Sequence, residues 1–429
     1  MTTALVWIVA MGAIAGILFR PKQLPEAVWA CLGAALLVVC RLIPLSAAAS
    51  AVLKGTDVYL FLAGMMLLAD LARREGVFDW MAALAVRASR GSRERLFLLV
   101  YAVGIVVTVF LSNDATAVVL TPAVYAAVRR ARAEARPYLF ACAFIANAAS
   151  FVLPISNPAN LVVYAKDLPP LVPWLRVFAL PSLVSIAVTF FVLRLLFRGP
   201  LGGTVERDES GVDLSASGRR AAWGILATGA VLIAASARGM DLGLPTCIAA
   251  VLAVLIATRA AARACWEIAR EVSWSVLPLV AGLFVLVEAM NGAGGAQWIG
   301  EALRYVAAMP SRSGTLTASF GVAALSNVMN NLPSGLLVGG ALRAVHIAPR
   351  LRDAVLIGVD LGPNLSVTGS LATILWLLAL RKESDGHAGG EKLDVSFWKF
   401  LKVGAVAMPV ALFAALGGAI LMNMLVGKN

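Results

Sequence analysis

The chain has 429 residues, of which 60% are hydrophobic and 14% are charged, and its mean hydropathy is +0.86. So much apolar surface cannot face water, and the composition therefore excludes a soluble globular protein and indicates a polytopic membrane protein. The formal net charge is +12, but the basic residues lie at the ends of apolar runs and not along one stripe. This distribution argues against nucleic-acid binding and is typical of a topology signal.

Ten apolar runs are long enough to cross a bilayer, for which about 20 residues are needed. In chain order they occupy roughly 3–19, 26–45, 57–72, 138–165, 175–197, 221–237, 245–260, 273–290, 352–380 and 399–425. Arg20 and Lys22 follow the first run and no basic residue precedes it. The first run is therefore predicted to be a spanning helix with its amino end outside.

Two further apolar regions, 96–130 and 313–345, carry a Ser-Asn pair near the centre. Arginines flank the first region on both sides, so a single crossing would leave one basic group outside. A re-entrant hairpin on the cytoplasmic side, with its tip at Ser112-Asn113, avoids this conflict. The second hairpin is then predicted to enter from outside, with its tip at Ser326-Asn327. In this topology the cytoplasmic segments hold 25 of the 36 Lys and Arg residues.

The polar clusters occur twice, at a nearly constant offset along the chain. LSNDATAVVLTPA (111–123) and FVLPISNPANLVVY (151–164) are matched by LSNVMNNLPSGLL (325–337) and LGPNLSVTGSLATILW (361–376). The sequence therefore predicts an all-α polytopic membrane protein with about ten spanning helices in two inverted-topology repeats. The predicted units are a first repeat 1–198 with hairpin 96–130 and broken helix 138–165, a flexible cytoplasmic linker 199–218, and a second repeat 219–429 with hairpin 313–345 and broken helix 352–380.

Amides, Pro and Gly at membrane depth leave backbone groups without helical partners, which is tolerated where they line a cavity. A single Asn or Ser in a membrane helix is more often a packing residue, but two symmetric clusters of them are typical of a secondary transporter binding site. The predicted substrate-binding residues are Ser112, Asn113, Asn157, Asn160, Ser326, Asn327, Asn330, Asn331, Asn364, Ser370 and Thr373.

Acidic residues inside a membrane are costly and usually functional. Asp114 lies opposite Val328 and Asp360 opposite Asn147 when the two halves are aligned. An acid in only one member of a symmetric pair is what directional ion coupling requires, so both are predicted to couple protons. The alternative is that each is a permanently hydrogen-bonded structural acid. For Asp70 and Glu288, which occupy matching places near helix ends, an interfacial or structural role is as well supported as a functional one.

Several other chemistries lack the residues they need. The five cysteines show no C-x-x-C spacing, and the two histidines, His346 and His387, form no zinc-helix pattern. No P-loop occurs, so any ATP-driven step needs another chain. The sequence therefore predicts neither a metal site nor a cofactor. A membrane enzyme is the weakest alternative, because no nucleophile, base and metal constellation can be recognised.

The strings LSNDATAVVLTPAV, ACAFIANAASFVLPISNPANLVVY, NNLPSGL and LIGVDLGPNLSVTGSLATILWL resemble the arsenical-pump membrane subunit family of the ion transporter superfamily. The resemblance covers nearly the whole chain. It implies export of arsenite and antimonite in exchange for protons, across the cytoplasmic (inner) membrane of a prokaryote. It also implies that the protein works alone or with a soluble arsenite-stimulated ATPase.

Arsenous acid is an uncharged trihydroxy molecule at neutral pH, so the neutral amides and hydroxyls of the clusters suit it. No Lys or Arg lies within them. The remaining alternatives on the same fold are a sodium/proton antiporter and a carrier of organic anions or silicic acid. A channel for uncharged solutes is a further alternative, and it differs from these carriers because a pH gradient would not make it concentrate its substrate.

Overall fold

The structure is a computed structural model that describes residues 2–206, 213–345, 347–385 and 395–426, with side chains up to 380 and 424 in the last two ranges. Residues 207–212 of the predicted linker, together with His346 and His387, lie outside the described residues. The regular elements of the described ranges are all helical.

The first half contains twelve α-helices. They are α1 (Thr2–Phe19), α2 (Glu26–Val39), α3 (Leu45–Lys54), α4 (Thr56–Arg74), α5 (Val77–Ala88), α6 (Arg93–Phe110), α7 (Asn113–Ala115), α8 (Thr121–Arg130), α9 (Arg136–Ala148), α10 (Pro158–Tyr164), α11 (Leu171–Leu196) and α12 (Arg198–Leu201). A π-helical segment, Thr116–Leu120, joins α7 to α8 without a break in the helical path.

Ten helices follow in the described part of the second half. They are α13 (Ala216–Ala237), α14 (Gly243–Thr258), α15 (Ala262–Glu271), α16 (Val276–Gly292), α17 (Gly295–Ala308), α18 (Ser311–Met329), α19 (Asn331–Ala344), α20 (Pro349–Leu361), α21 (Leu371–Asp385) and α22 (Phe397–Val426). Two short 3-10 turns, Gly362–Asn364 and Val367–Gly369, lie between α20 and α21.

Four described helices are long and apolar enough to cross a membrane: Thr2–Phe19, Leu171–Leu196, Ala216–Ala237 and Phe397–Met424. Two bent pairs raise this number to six, because α3 and α4 meet at 47° and α15 and α16 at 42°. Shorter apolar helices lie at Glu26–Val39, Gly243–Thr258 and Leu371–Leu380. The protein is thus an all-helical, multi-pass membrane protein, while ten crossings and inverted repeats stay predictions.

Both predicted broken helices are interrupted as expected. The first stops at Ala148 and resumes at Pro158, and the second stops at Leu361 and resumes at Leu371. Pro154 in the first linking segment and Gly362, Pro363 and Gly369 in the second remove a backbone donor or weaken the helix, which explains the interruption. Asn157 and Ser370, with φ of −150° and −144°, precede the resumed helices. These two residues correspond when the two halves of the sequence are aligned. We call their separation along the chain the repeat offset, and two residues with the same separation are counterparts.

The two predicted hairpins differ in where they break. Ser112 (φ 131°) separates α6 from α7, but the second break is at Asn330 (φ 75°), which separates α18 from α19. The tip predicted at Ser326-Asn327 is therefore wrong, because α18 continues through both residues to Met329. Aligning the two breaks places Asp114 opposite Leu332 and not opposite Val328.

We call the end of the helical bundle at which α4 ends and α6 and α9 begin the basic face. Here Arg74 of α4 pairs with Glu267 of α15, and the Tyr138 hydroxyl donates to the Arg93 carbonyl at 3.1 Å. We call the other end the opposite face. It contains the Lys54–Glu288 ion pair (3.1 Å), the carboxyl end of α10 and the amino end of α20. Glu288 therefore has an ion-pair partner.

Candidate functional site

Four helical segments begin at one small cavity in the interior. The segments start at Asn113, Pro158, Asn331 and Leu371, which are the first residues of α7, α10, α19 and α21. The cavity is lined by Leu62, Asn113, Asp114, Asn157, Pro158, Val276, Val280, Asn331, Leu332, Ser370, Leu371 and Ala372. The first backbone N–H groups of a helix have no partner within it, so helix starts place hydrogen-bond donors and a partial positive charge at such a site.

A polar side chain caps each of these helix starts. The cap bonds are Ala115 N to Ser112 Oγ (3.3 Å), Ala159 N to Asn157 Oδ1 (3.0 Å), Leu332 N to Asn330 Oδ1 (3.3 Å) and Thr373 N to Ser370 Oγ (3.1 Å). Ser and Asn are preferred at this position because a side-chain oxygen satisfies a free backbone donor. Local helix initiation therefore accounts for part of each polar cluster. These cap bonds use the Oδ1 atoms of the two Asn residues and leave their Nδ2 groups for other contacts.

Asn157 also contacts the buried acid Asp360. Its Nδ2 donates to Asp360 Oδ1 at 2.8 Å, and its Oδ1 accepts the α10 cap bond. Asp360 is fully buried, and its Oδ2 makes no hydrogen bond of normal geometry to a described residue. The Asn157 side chain thus lines the cavity and also bonds to Asp360, which lies outside the lining.

A wider vestibule of about 350 Å³ adjoins the cavity on the side of the basic face. The two share Leu62, Asp114, Pro158, Val276 and Leu371 in their linings. Ser112 lines the vestibule as well. Half-buried Asp114 consequently faces both spaces. The vestibule gives the cavity a route toward the predicted cytoplasmic side.

Two ion pairs of one arginine lie at the mouth of this vestibule. The Arg73 guanidinium donates to Asp70 Oδ1 at 2.9 Å and to Glu271 Oε2 at 2.7 Å, and all three residues line the vestibule. Arg73 and Glu271 are each nearly half exposed, so water screens their attraction. Asp70 is therefore an ion-paired residue at the mouth, some distance from the cavity.

The cavity itself is small, at about 30 Å³. That volume is about one water molecule's share of the liquid. A solute with four heavy atoms does not fit until neighbouring helices move apart. In this structure the cavity is therefore too small for such a solute, and the vestibule adjoins it on one side.

Four of the predicted binding residues line the cavity, namely Asn113, Asn157, Asn331 and Ser370, and Ser112 lines the vestibule. Of the two predicted coupling acids, Asp114 lines both spaces and Asp360 lies behind Asn157. Asn330 caps α19 and is 4% exposed.

Asn160 and Thr373 lie outside the cavity lining and hold loops. Asn160 Nδ2 donates to the carbonyl of Ser150 at 2.9 Å, within the segment that links α9 to α10. Thr373, its counterpart at the repeat offset, donates to the carbonyl of Val367 at 2.8 Å. Both side chains therefore close the loop just before the resumed helix, which is a structural task.

Asn327 and Asn364 tie separate elements together. Asn327 Nδ2 donates to the Gly362 carbonyl at 2.8 Å, and its Oδ1 accepts from the Ser366 hydroxyl at 2.7 Å. Asn364 accepts from Asn147 Nδ2 at 3.0 Å and so connects the two broken helices. Ser326 is fully buried in α18, and its hydroxyl has no partner among the described residues.

Sequence reasoning missed the apolar wall of the cavity. Leu62 of α4 and Val276 and Val280 of α16 complete the lining. Nothing in the sequence distinguishes these residues from the many aliphatic residues that face lipid. Among the described residues, no group of three or more His, Cys, Asp or Glu could hold a metal ion.

Interrupted membrane helices around a small cavity are typical of membrane transporters. The sequence profile of the citrate transporter family matches residues 5–379, so the chain belongs to that family. The chain is 27% identical over 368 residues to an arsenical pump membrane protein of Yersinia enterocolitica, covering 82% of this chain and 83% of that protein. It is 26% identical over 377 residues to the protein of the same name from Escherichia coli K12, with the same coverage.

A solved structure shares the fold. The YdaH transporter of Alcanivorax borkumensis superposes with a TM-score of 0.56 at 14% identity, covering 89% of this chain and 87% of that one. The resemblance to arsenical-pump membrane proteins that the sequence strings indicate is confirmed by the relatives.

Proposed function

We propose that the protein exports arsenite and antimonite from the cytoplasm in exchange for protons, by alternating access in the inner membrane of a bacterium. The observation that carries the proposal is the chemistry of the cavity. Its polar lining consists of neutral Asn and Ser side chains and the acid Asp114, with no Lys or Arg among the described lining residues.

This lining suits an uncharged trihydroxy solute. Each hydroxyl of arsenous or antimonous acid can accept a hydrogen bond from an amide Nδ2 or a helix-start N–H and can donate one in turn. Asn113 and Asn331 lie at the first positions of α7 and α19, where both kinds of donor are present. A cationic clamp would instead select an ionised substrate.

Substrate enters through the vestibule from the basic face, which the predicted topology places in the cytoplasm. The cavity must widen to admit it, because 30 Å³ holds about one water molecule. The predicted repeats then move so that the cavity opens to the opposite face. After the substrate leaves, Asp114 or Asp360 takes up a proton from outside and releases it to the cytoplasm on the return.

A carrier of citrate or another organic anion is the second candidate. The family match favours it, and helix starts can bind carboxylates. Against it, an ionised Asp114 would repel a carboxylate in the same cavity, and the described lining offers no fixed cation. The relatives named as arsenical pumps also favour arsenite.

The test is uptake into everted membrane vesicles from cells that express the protein, with and without an imposed proton gradient. We expect the gradient to drive accumulation of arsenite but not of citrate. The same measurement in vesicles depleted of ATP asks whether a soluble ATPase partner is needed, and we expect transport to persist without ATP. Gradient-driven accumulation of citrate alone would refute the proposed substrate.

A further inference from the structure

Helices α10 and α20 meet through two pairs of polar side chains. Asn157 Nδ2 donates to Asp360 Oδ1 at 2.8 Å, and the Tyr164 hydroxyl donates to Asp353 Oδ1 at 2.5 Å. On each helix the spacing between the two members is about two turns. The two acids therefore lie on one face of α20, and the two pairs form successive rungs between antiparallel helices.

The Tyr164–Asp353 rung lies on the opposite face, at the far end of α10 from the cavity. Tyr164 is only 3% exposed, and its ring packs against Trp174 and Phe178 with centroid distances of 5.5 and 6.4 Å. The phenol hydroxyl is therefore held in one place. Asp353 is half-buried, so part of its surface is exposed at that end of the bundle.

Cations near this rung are engaged with other acceptors. The Arg352 guanidinium pairs with Asp167 at 3.3 Å and lies 5.7 Å from the centroid of the Tyr164 ring. Arg343 donates to the carbonyl of Val163 at 3.4 Å. The hydrogen-bond donor on Asp353 is thus a neutral phenol, and such an acid can gain and lose a proton more readily than one locked in an ion pair.

Neither residue of the rung has an equivalent in the other predicted repeat. At the repeat offset Asp353 lies opposite Phe140, and Tyr164 lies opposite Leu377. A tie that only held two helices together would be useful in both repeats. An acid confined to one repeat and to the opposite face suits a step that happens on one side of the membrane.

We propose that Asp353, with Tyr164, is the proton acceptor on the outer side and supplies the proton to Asp360. This inference rests on the proposed proton exchange. A proton from outside binds the Asp353 carboxylate and then passes to the Asp360 carboxylate, which becomes neutral while Asp353 is ionised again. The acids are about 10 Å apart along the helix axis. Water that enters when the outer side opens bridges them, and Tyr164 remains a phenol throughout.

The test compares D353N and Y164F with the control D167N in everted vesicles, whose lumen corresponds to the outer side. Asp167 belongs to the same cluster through Arg352 but is half exposed and does not contact Asp353. Two rates are measured for each variant: gradient-driven arsenite accumulation as a function of luminal pH, and arsenite/arsenite exchange without a gradient.

We expect D353N to lower gradient-driven accumulation by about tenfold or more while exchange stays within about twofold of the unmodified protein. Y164F should shift the luminal pH at which accumulation is half-maximal, because the carboxylate loses its phenol donor. D167N should change neither rate by more than about twofold.

Normal gradient-driven accumulation in D353N would overturn this inference alone. Equal loss of accumulation and exchange in D353N, with an unchanged pH profile in Y164F, would also overturn it, because that result is what a purely structural tie gives. If the unmodified protein shows no gradient dependence, the proposed function itself fails, and that outcome is visible before any variant is compared.

Discussion

The Asn157→Ala substitution is the sharpest test of the site, because one side chain makes two separable contacts. It caps α10 through Oδ1 and donates to the buried Asp360 through Nδ2 at 2.8 Å. Loss of an N-cap costs about 0.5–2 kcal/mol of stability. Removing the donor leaves the buried carboxyl of Asp360 without its partner, which costs about 1–3 kcal/mol. We therefore expect the substitution to destabilise the protein by about 1.5–5 kcal/mol.

Ser370→Ala provides a matched control. Ser370 occupies the corresponding position at the start of α21, caps it at 3.1 Å and lines the same cavity. Its hydrogen bonds stay within its own helix start, with Thr373 as partner. Ser370→Ala should therefore cost only about 0.5–2 kcal/mol. The difference between the two variants isolates the contact of Asn157 with Asp360.

Thermal unfolding in detergent, followed by tryptophan fluorescence, measures stability, and arsenite exchange in vesicles measures the site. A double-mutant cycle with Asp360→Asn then tests whether the two residues act together. We expect a coupling free energy of at least about 1 kcal/mol between Asn157 and Asp360. Additive effects, or equal losses in Asn157→Ala and Ser370→Ala, would refute the claim that Asn157 connects the cavity to Asp360.

Three further predictions concern the cavity and its approach. Asp114→Asn should abolish gradient-driven arsenite accumulation but leave exchange within about threefold, because the amide keeps hydrogen bonds and loses titration; full accumulation would exclude Asp114 as a coupling acid. A cysteine at position 112 should react with a membrane-impermeant thiol reagent from the cytoplasmic side, whereas a cysteine at position 326 should not. Reaction at position 326 would support a hairpin tip at Ser326-Asn327. Arg73→Gln should change transport less than about fivefold, because exposed ion pairs contribute about 1 kcal/mol or less; an inactive variant would assign function to the vestibule mouth.

The sequence predicts much of the fold because membrane helices are strongly constrained. Long apolar runs must be helical in lipid, and the segments around Pro158 and Gly362 could be placed because Pro and Gly interrupt helices there. The two residues at the repeat offset, Asn157 and Ser370, both directly precede a resumed helix. The alignment of the two Ser-Asn pairs fails at the second hairpin, since α18 runs on to Met329 before its break.

The role of each polar side chain could not be predicted from its type. Asn113 and Asn160 look equivalent in the sequence, but Asn113 lines the cavity and Asn160 bonds to loop carbonyls. A free backbone carbonyl and a substrate hydroxyl offer an amide the same kind of partner, so only the local geometry decides between them. No feature of the sequence indicates the aliphatic part of the cavity lining, because Leu62 and Val276 are as well suited to face lipid as to face a cavity.

Directional transport needs a difference between two halves that the predicted architecture makes alike. In the alignment of the two halves, Asp114 corresponds to Leu332 and Asp360 corresponds to Asn147. The counterpart of Asp353 at the repeat offset is Phe140. In each case the backbone plan is shared, and a side chain that can titrate is present on one side only. Because a proton gradient acts only on groups that change their charge, we propose that these acids supply the asymmetry that the predicted backbone symmetry lacks.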